Sequence, residues 1–196
     1  MHFALSVPQA YRGQPVPLVL ALHFGGDPNG AGRAMLDILV LPALAELGAI
    51  IVAPDALGGG WGSAANERGV NALLAAVERG YAIDRKRVVV TGYSMGGAGT
   101  WYWAGKYPER FSAAVPVSGR PTDVSSSWRI PVFAVHSRDD QVNPIEPTEQ
   151  RVSELKKAGV NARLVVVTGV SHYETDRFAP ALRQAVPWIK DLWNSQ

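Results

Sequence analysis

Seven short apolar runs recur along this chain, and several are continuous rather than alternating in polarity. They fall at residues 3–7, 16–23, 49–53, 87–91, 113–118, 131–136 and 163–168. A strand that is apolar on both faces has to be covered on both faces. The segments between the runs carry helical spacing. Met35, Leu36, Leu39, Leu44 and Leu47 form one stripe, ended by Gly48. Val70, Leu73, Leu74 and Val77 form a second, capped near Ser63 and ended by Gly80. Val152 and Leu155 give a third, with Gly159 as its stop. Ala181, Leu182, Ile189 and Leu192 lie in a last helix that Pro187 should kink or restart. This alternation predicts an α/β fold with a mostly parallel central sheet flanked by helices. In such sheets ligands bind outside the carboxyl ends of the strands.

A length of 196 residues fits one domain over 1–196 with a substantial core. Hydrophobic residues make up 47% and charged residues only 18%, so much of the chain should be buried. The net charge of +2 is scattered without a basic stripe, which argues against a nucleic-acid partner. The absence of cysteine excludes disulfides, thiol nucleophiles and cysteine metal sites, and suits a cytoplasmic setting. No apolar run is long enough for a membrane span. The first residues lack a basic region followed by a long apolar stretch, so no signal peptide is visible; a secreted chain trimmed of its leader would look the same.

The residues with chemical potential fall after the strand-like runs. Gly92-Tyr93-Ser94-Met95-Gly96 has the pattern G-x-S-x-G, with an apolar run before it and a helix-compatible run, 98–106, after it. A serine on a sharp strand-to-helix turn is thrust out of the fold, and the glycines relieve collisions with the neighbouring strand and helix. A serine hydroxyl needs a base, and the base needs an orienting acid. Of the four histidines, His2 is terminal, and His23 and His136 end apolar runs, as packed structural residues do. His172, in a loop between the last strand and the last helix, is the best base. The loop 136–144 offers Asp139 and Asp140 as acids in the order Ser…Asp…His. Either also reads as a turn former or cap. His136 with Asp139 and Asp140 reads, more weakly, as a metal site, since no second cluster accompanies it.

Four segments together resemble the alpha/beta-hydrolase superfamily, and within it the small, lid-poor carboxylesterases of the phospholipase/carboxylesterase, dienelactone-hydrolase and feruloyl-esterase-like groups. Leu20-Ala21-Leu22-His23-Phe24-Gly25-Gly26 is similar to the family's oxyanion loop, and Gly92 to Gly96 to its nucleophile elbow. His136 to Pro144 resembles its H-G-x-x-D-x-x-V-P acid loop, and Gly169 to His172 its histidine loop. The resemblance places the acid on Asp140. The chain departs from the family at Ser137, where glycine is usual, and at Asn143, where valine is usual.

The resemblance implies a serine esterase that needs neither metal nor organic cofactor. Ser94 is the implied nucleophile, His172 the base and Asp140 the acid. One oxyanion donor is the N–H of Met95, at a helix start whose dipole favours an anion. The second is the N–H of Phe24 or Gly25, because Phe24 stands where the family has glycine. Trp61, Tyr93 and Trp128 are candidate substrate-binding residues, with Tyr173 near them; Trp101 reads as core. Arg120 and Arg138 are within reach of an acidic substrate, although a solvated arginine is the simpler reading. About a dozen residues separate Ser118 from Pro131. That leaves no room for a large lid, so an open site for small to medium esters is expected. Rival readings are an acyl thioesterase or lysophospholipase-like hydrolase, a peptidase, and a catalytically silent binding domain.

Overall fold

The structure, a computed structural model, describes residues 1–122 and 128–195. Seven strands form one sheet in the order β1-β3-β2-β4-β5-β6-β7. They are β1 (Phe3–Ser6), β2 (Val16–Leu22), β3 (Ile50–Pro54), β4 (Ile83–Tyr93), β5 (Ala113–Val117), β6 (Val132–Ser137) and β7 (Ala162–Val167). β1 runs antiparallel to β3; every other pairing is parallel.

Continuous apolar strands produce two cores. Along β2, Leu18, Leu20 and Leu22 face one side and Val19 and Ala21 the other, and all five are fully buried. The leucine face is covered by α3 (Ala64–Gly80), α4 (Met95–Lys106) and α5 (Glu146–Lys157) through Val70, Leu74, Trp101, Trp103, Val152 and Leu155. The other face is covered by α1 (Ala31–Met35), α2 (Leu41–Leu44), α6 (Ala179–Arg183) and α7 (Ala185–Asn194). Ser63 caps α3 through its side chain, as its position before the apolar stripe predicts.

The stripe from Met35 to Leu47 is less regular than one helix. Pro42 has no N–H to offer Ile38, and the segment widens to a π turn at Leu36–Val40, where the Leu41 N–H reaches the Leu36 carbonyl. The last helix breaks at Gln184 and restarts as α7, with Pro187 in its first turn, where a missing N–H costs least. β4 is longer than its apolar run. Its first half carries Asp84, Arg85 and Lys86, and pairing to β2 begins at Val16–Ile83. In the connection from β5 to β6, the described residues form no helix or strand, and 123–127 lie outside the described residues.

Every candidate chemical residue ends up at the carboxyl end of the parallel strands. His23 follows β2, Ser94 follows β4, Asp140 follows β6 and His172 follows β7. No helix among the described residues is long and apolar enough to cross a membrane.

Candidate active site

Ser94 joins β4 to α4 with φ 54° and ψ −113°, a left-sided backbone that a non-glycine residue adopts only when its surroundings enforce it. The enforcement is backbone packing. A Cβ on Gly96 would lie 1.9 Å from the Leu22 carbonyl oxygen, and one on Gly92 2.3 Å from the Gly96 oxygen. The first turn of α4 therefore sits directly on the ends of β2 and β4, and the Ser94 N–H bonds the Val117 carbonyl at 3.0 Å. Gly96→Ala is expected to lower stability by more than about 3 kcal/mol, read as a melting temperature lower by roughly 6–12 °C. An unchanged thermal transition would contradict this packing.

Ser94, His172 and Asp140 form one hydrogen-bonded chain. The His172 Nε2 lies 2.8 Å from the Ser94 Oγ, and its Nδ1 lies 2.8 Å from the Asp140 Oδ2. A carboxylate only accepts, so Nδ1 carries the proton and Nε2 is left to accept from the serine hydroxyl. The Asp140 side chain is fully buried. Its other oxygen accepts the N–H groups of Val142 at 2.9 Å and Asn143 at 2.7 Å. Asp139 points elsewhere. It is exposed, and its Oδ2 accepts the Gly169 N–H at 2.6 Å. His136, Asp139 and Asp140 thus do not converge on one point, and no cluster of three or more such groups fit for a metal ion occurs among the described residues.

The two departures from the family pattern have local explanations. The Ser137 hydroxyl donates to the Val170 carbonyl at 2.5 Å. The Asn143 amide donates to the Ser118 carbonyl at 2.9 Å, and its backbone carbonyl lies 2.9 Å from the His136 Nε2. The acid loop is therefore fastened both to the histidine loop and to the end of β5.

His23 organises the loop after β2. Its Nε2 accepts the Ala56 N–H at 3.0 Å, so its proton resides on Nδ1, which donates to the Phe24 carbonyl at 2.5 Å. With that carbonyl turned toward the imidazole, the Gly25 N–H leaves the opposite edge of the same trans peptide. Gly25 stands beside Met95, whose N–H opens α4.

Burial holds His23 and His136 below the ordinary histidine range, partly offset in each case by a backbone carbonyl and by a carboxylate, Asp55 for His23 and Asp140 for His136. Both histidines are thus favoured neutral in the fold, whereas the unfolded chain takes up their protons below a pH of about 6.5. Stability is expected to be greatest above that pH. Below it, stability should fall by about 1.4 kcal/mol per pH unit for each histidine, until the folded-state value is reached. Denaturant melts at pH 7 and pH 5 measure this, and equal midpoints would refute it.

A model of the alpha/beta hydrolase fold family matches residues 19–136. The chain belongs to that family. Among relatives of this alpha/beta hydrolase is a probable feruloyl esterase C of Aspergillus terreus, 29% identical over 153 residues, which cover 74% of this chain and 57% of the relative. Another is a putative carboxymethylenebutenolidase of Salmonella typhi, 28% identical over 122 residues, covering 56% and 44%. The chain spans only between 39% and 57% of the length of such curated relatives. Among solved structures, a thermostable esterase superposes with a TM-score of 0.79 at 23% identity, covering 96% of this chain and 58% of that one.

Beside Ser94 lies a cavity of about 370 Å³, lined by Phe24, Gly25, Tyr93, Val142, His172, Tyr173 and Thr175. Among the described residues, no lysine, arginine or carboxylate lines it. Each of the three loops around the serine contributes an apolar or aromatic wall: Phe24 after β2, Val142 after β6 and Tyr173 after β7. Val142 and Tyr173 are among the exposed large hydrophobic residues. A second hollow of about 380 Å³ opens among Arg87, Lys190 and Trp193, and among the described residues no nucleophile or histidine lines it.

Two expected substrate contacts are corrected. Trp61 is buried; its indole N–H donates to the His23 carbonyl at 2.9 Å and its ring meets the His23 ring edge-on at 5.0 Å. Trp128 is buried against Trp101, with its N–H on the Ile130 carbonyl at 2.7 Å. Both indoles find a carbonyl partner inside the fold, which lets so large an apolar surface leave the solvent. Tyr93 does line the cavity, although it is buried: its hydroxyl donates to the His172 carbonyl and its ring packs on Phe178. Burial pushes the Tyr93 phenol up, so it stays a donor. Arg138 pairs with Glu149 at 2.8 Å and Arg120 is exposed, so neither enters the cavity. Val142 and Thr175 carry no sequence signal, since an isolated valine or threonine in a loop belongs to no pattern.

Proposed function

We propose that this chain is a serine carboxylesterase acting on neutral carboxylic esters of small to medium size through an acyl-enzyme. The hydrogen-bonded chain from Ser94 through His172 to the buried Asp140 carries the reading. Ser94 Oγ attacks the ester carbonyl as its proton passes to His172 Nε2, and Asp140 stabilises the imidazolium and holds its orientation. The N–H groups of Met95 and Gly25 receive the oxyanion. Gly25 is preferred to Phe24 because His23 turns the Phe24 carbonyl away. Each such donor typically contributes about 3 kcal/mol of transition-state stabilisation. His172 then protonates the leaving alcohol, and water cleaves the acyl-enzyme by the reverse relay.

The cavity walls favour the ester reading over an acyl-CoA thioesterase, because none of the described residues lining the cavity is a cation that would meet a phosphate. Phe24 and Tyr173 suit a flat acyl group of the feruloyl kind named in the relatives. A panel of nitrophenyl esters, methyl ferulate, acyl-CoA and aminoacyl amides tests the reading, alongside labelling by a fluorophosphonate. Turnover of the neutral esters with label on Ser94 is expected. A folded protein that neither labels nor hydrolyses any ester would sink it.

A further inference from the structure

The parallel pairing of β6 with β7 ends at Ser137–Val167, with one further backbone bond from the Arg138 N–H to the Val167 carbonyl at 2.8 Å. Beyond that point the histidine loop has no strand to pair with. Three alternate side chains of the acid loop take over. The Ser137 hydroxyl donates to the Val170 carbonyl at 2.5 Å, the Asp139 carboxylate accepts the Gly169 N–H at 2.6 Å, and the Gln141 side-chain carbonyl accepts the His172 N–H at 3.2 Å. Ser137 also accepts the Asp139 N–H at 3.1 Å, linking the first two. Between them, Asp140 points the other way and meets the His172 ring.

We propose that Ser137, Asp139 and Gln141 are positioning residues that clamp the histidine loop by its backbone, so that the segment carrying the acid also sets where the base stands. The inference rests on reading Ser94 as the nucleophile and His172 as its base. Side-chain hydrogen bonds take the place of a strand ladder beyond the last β6–β7 pair. The arrangement holds His172 within reach of both Ser94 and Asp140 while leaving Tyr173, next in sequence and 78% exposed, free to meet a ligand. It also accounts for a serine where the resembled family has glycine, because glycine has no hydroxyl for Val170. None of the three side chains lines the cavity, so their effect reaches the reaction only through His172.

The test replaces all three residues, S137A/D139A/Q141A, and separately the exposed one, Asp139→Ala, which keeps the test open should the triple variant fail to fold. A misplacement of the base by about 1 Å costs roughly a hundredfold in rate. The triple variant is therefore expected to lose about a hundredfold in kcat on a short nitrophenyl ester, and Asp139→Ala about fivefold, with KM within about twofold of wild type in both. Asp139→Asn, which keeps an acceptor oxygen for Gly169, should restore most of the loss. The proton on His172 Nδ1 supplies a readout that needs no turnover: its downfield magnetic resonance signal should be sharp in the wild type and exchange-broadened in the variants. Unchanged kcat and an unchanged signal in the folded variants would overturn the clamp. So would a loss expressed in KM alone. Absence of fluorophosphonate labelling in the wild type would instead strike the esterase reading, with the proton signal still reporting on the loop.

Discussion

Replacing Ser94 by alanine is expected to lower kcat on a nitrophenyl ester by roughly a million-fold and to abolish fluorophosphonate labelling. The size of the effect comes from the elbow. The backbone at φ 54° places one oxygen against His172 Nε2, and no other hydroxyl among the hydrogen-bond partners of that nitrogen can replace it. The substitution leaves the proposed oxyanion donors and the cavity in place. The fold should be nearly indifferent, because alanine can occupy the same backbone and only one hydrogen bond disappears. A melting temperature within a few degrees of wild type, with turnover at background, is the expected pair of results. Retained turnover would remove Ser94 from the mechanism.

Asp140→Asn is expected to cost about ten-thousandfold in kcat, and Asp139→Asn no more than about threefold. The asymmetry comes from the hydrogen bonds already in place. One oxygen of Asp140 accepts two backbone N–H groups, from Val142 and Asn143. An asparagine must keep its oxygen there, which turns its NH2 toward His172 Nδ1. That nitrogen must then accept, the ring proton moves to Nε2, and Nε2 can no longer take the proton of Ser94. Asp139 faces only the Gly169 N–H, which an amide oxygen also accepts. Parallel kcat measurements on the two variants decide the matter. The reverse order would assign the acid to Asp139.

The strands were legible because burial on both faces leaves an unbroken apolar run, as in β2 and β3. The first half of β4 was not, since Asp84 to Lys86 are charged while the backbone pairs with β2 all the same. The stripe from Met35 to Leu47 predicted burial correctly, yet spacing alone did not show how Pro42 would divide it. In the candidate site, the three residues that the fold joins by hydrogen bonds, Ser94, Asp140 and His172, each belong to a patterned loop. The cavity walls were less legible. Trp61 reads as a substrate-binding residue, but its indole donates to the His23 carbonyl inside the fold. Sequence shows that an indole N–H is available to donate; which carbonyl receives it depends on how distant loops meet.

The burial of the indoles has a spectroscopic consequence. Of the six tryptophans, Trp61, Trp101, Trp103, Trp128 and Trp188 are all buried, and none lines the Ser94 cavity. Intrinsic emission from this protein therefore reports on the integrity of its two cores and is nearly blind to what occupies the cavity. A chromophore that senses the ligand has to be sought at Tyr173, the exposed phenol beside His172, or carried in by the ester itself.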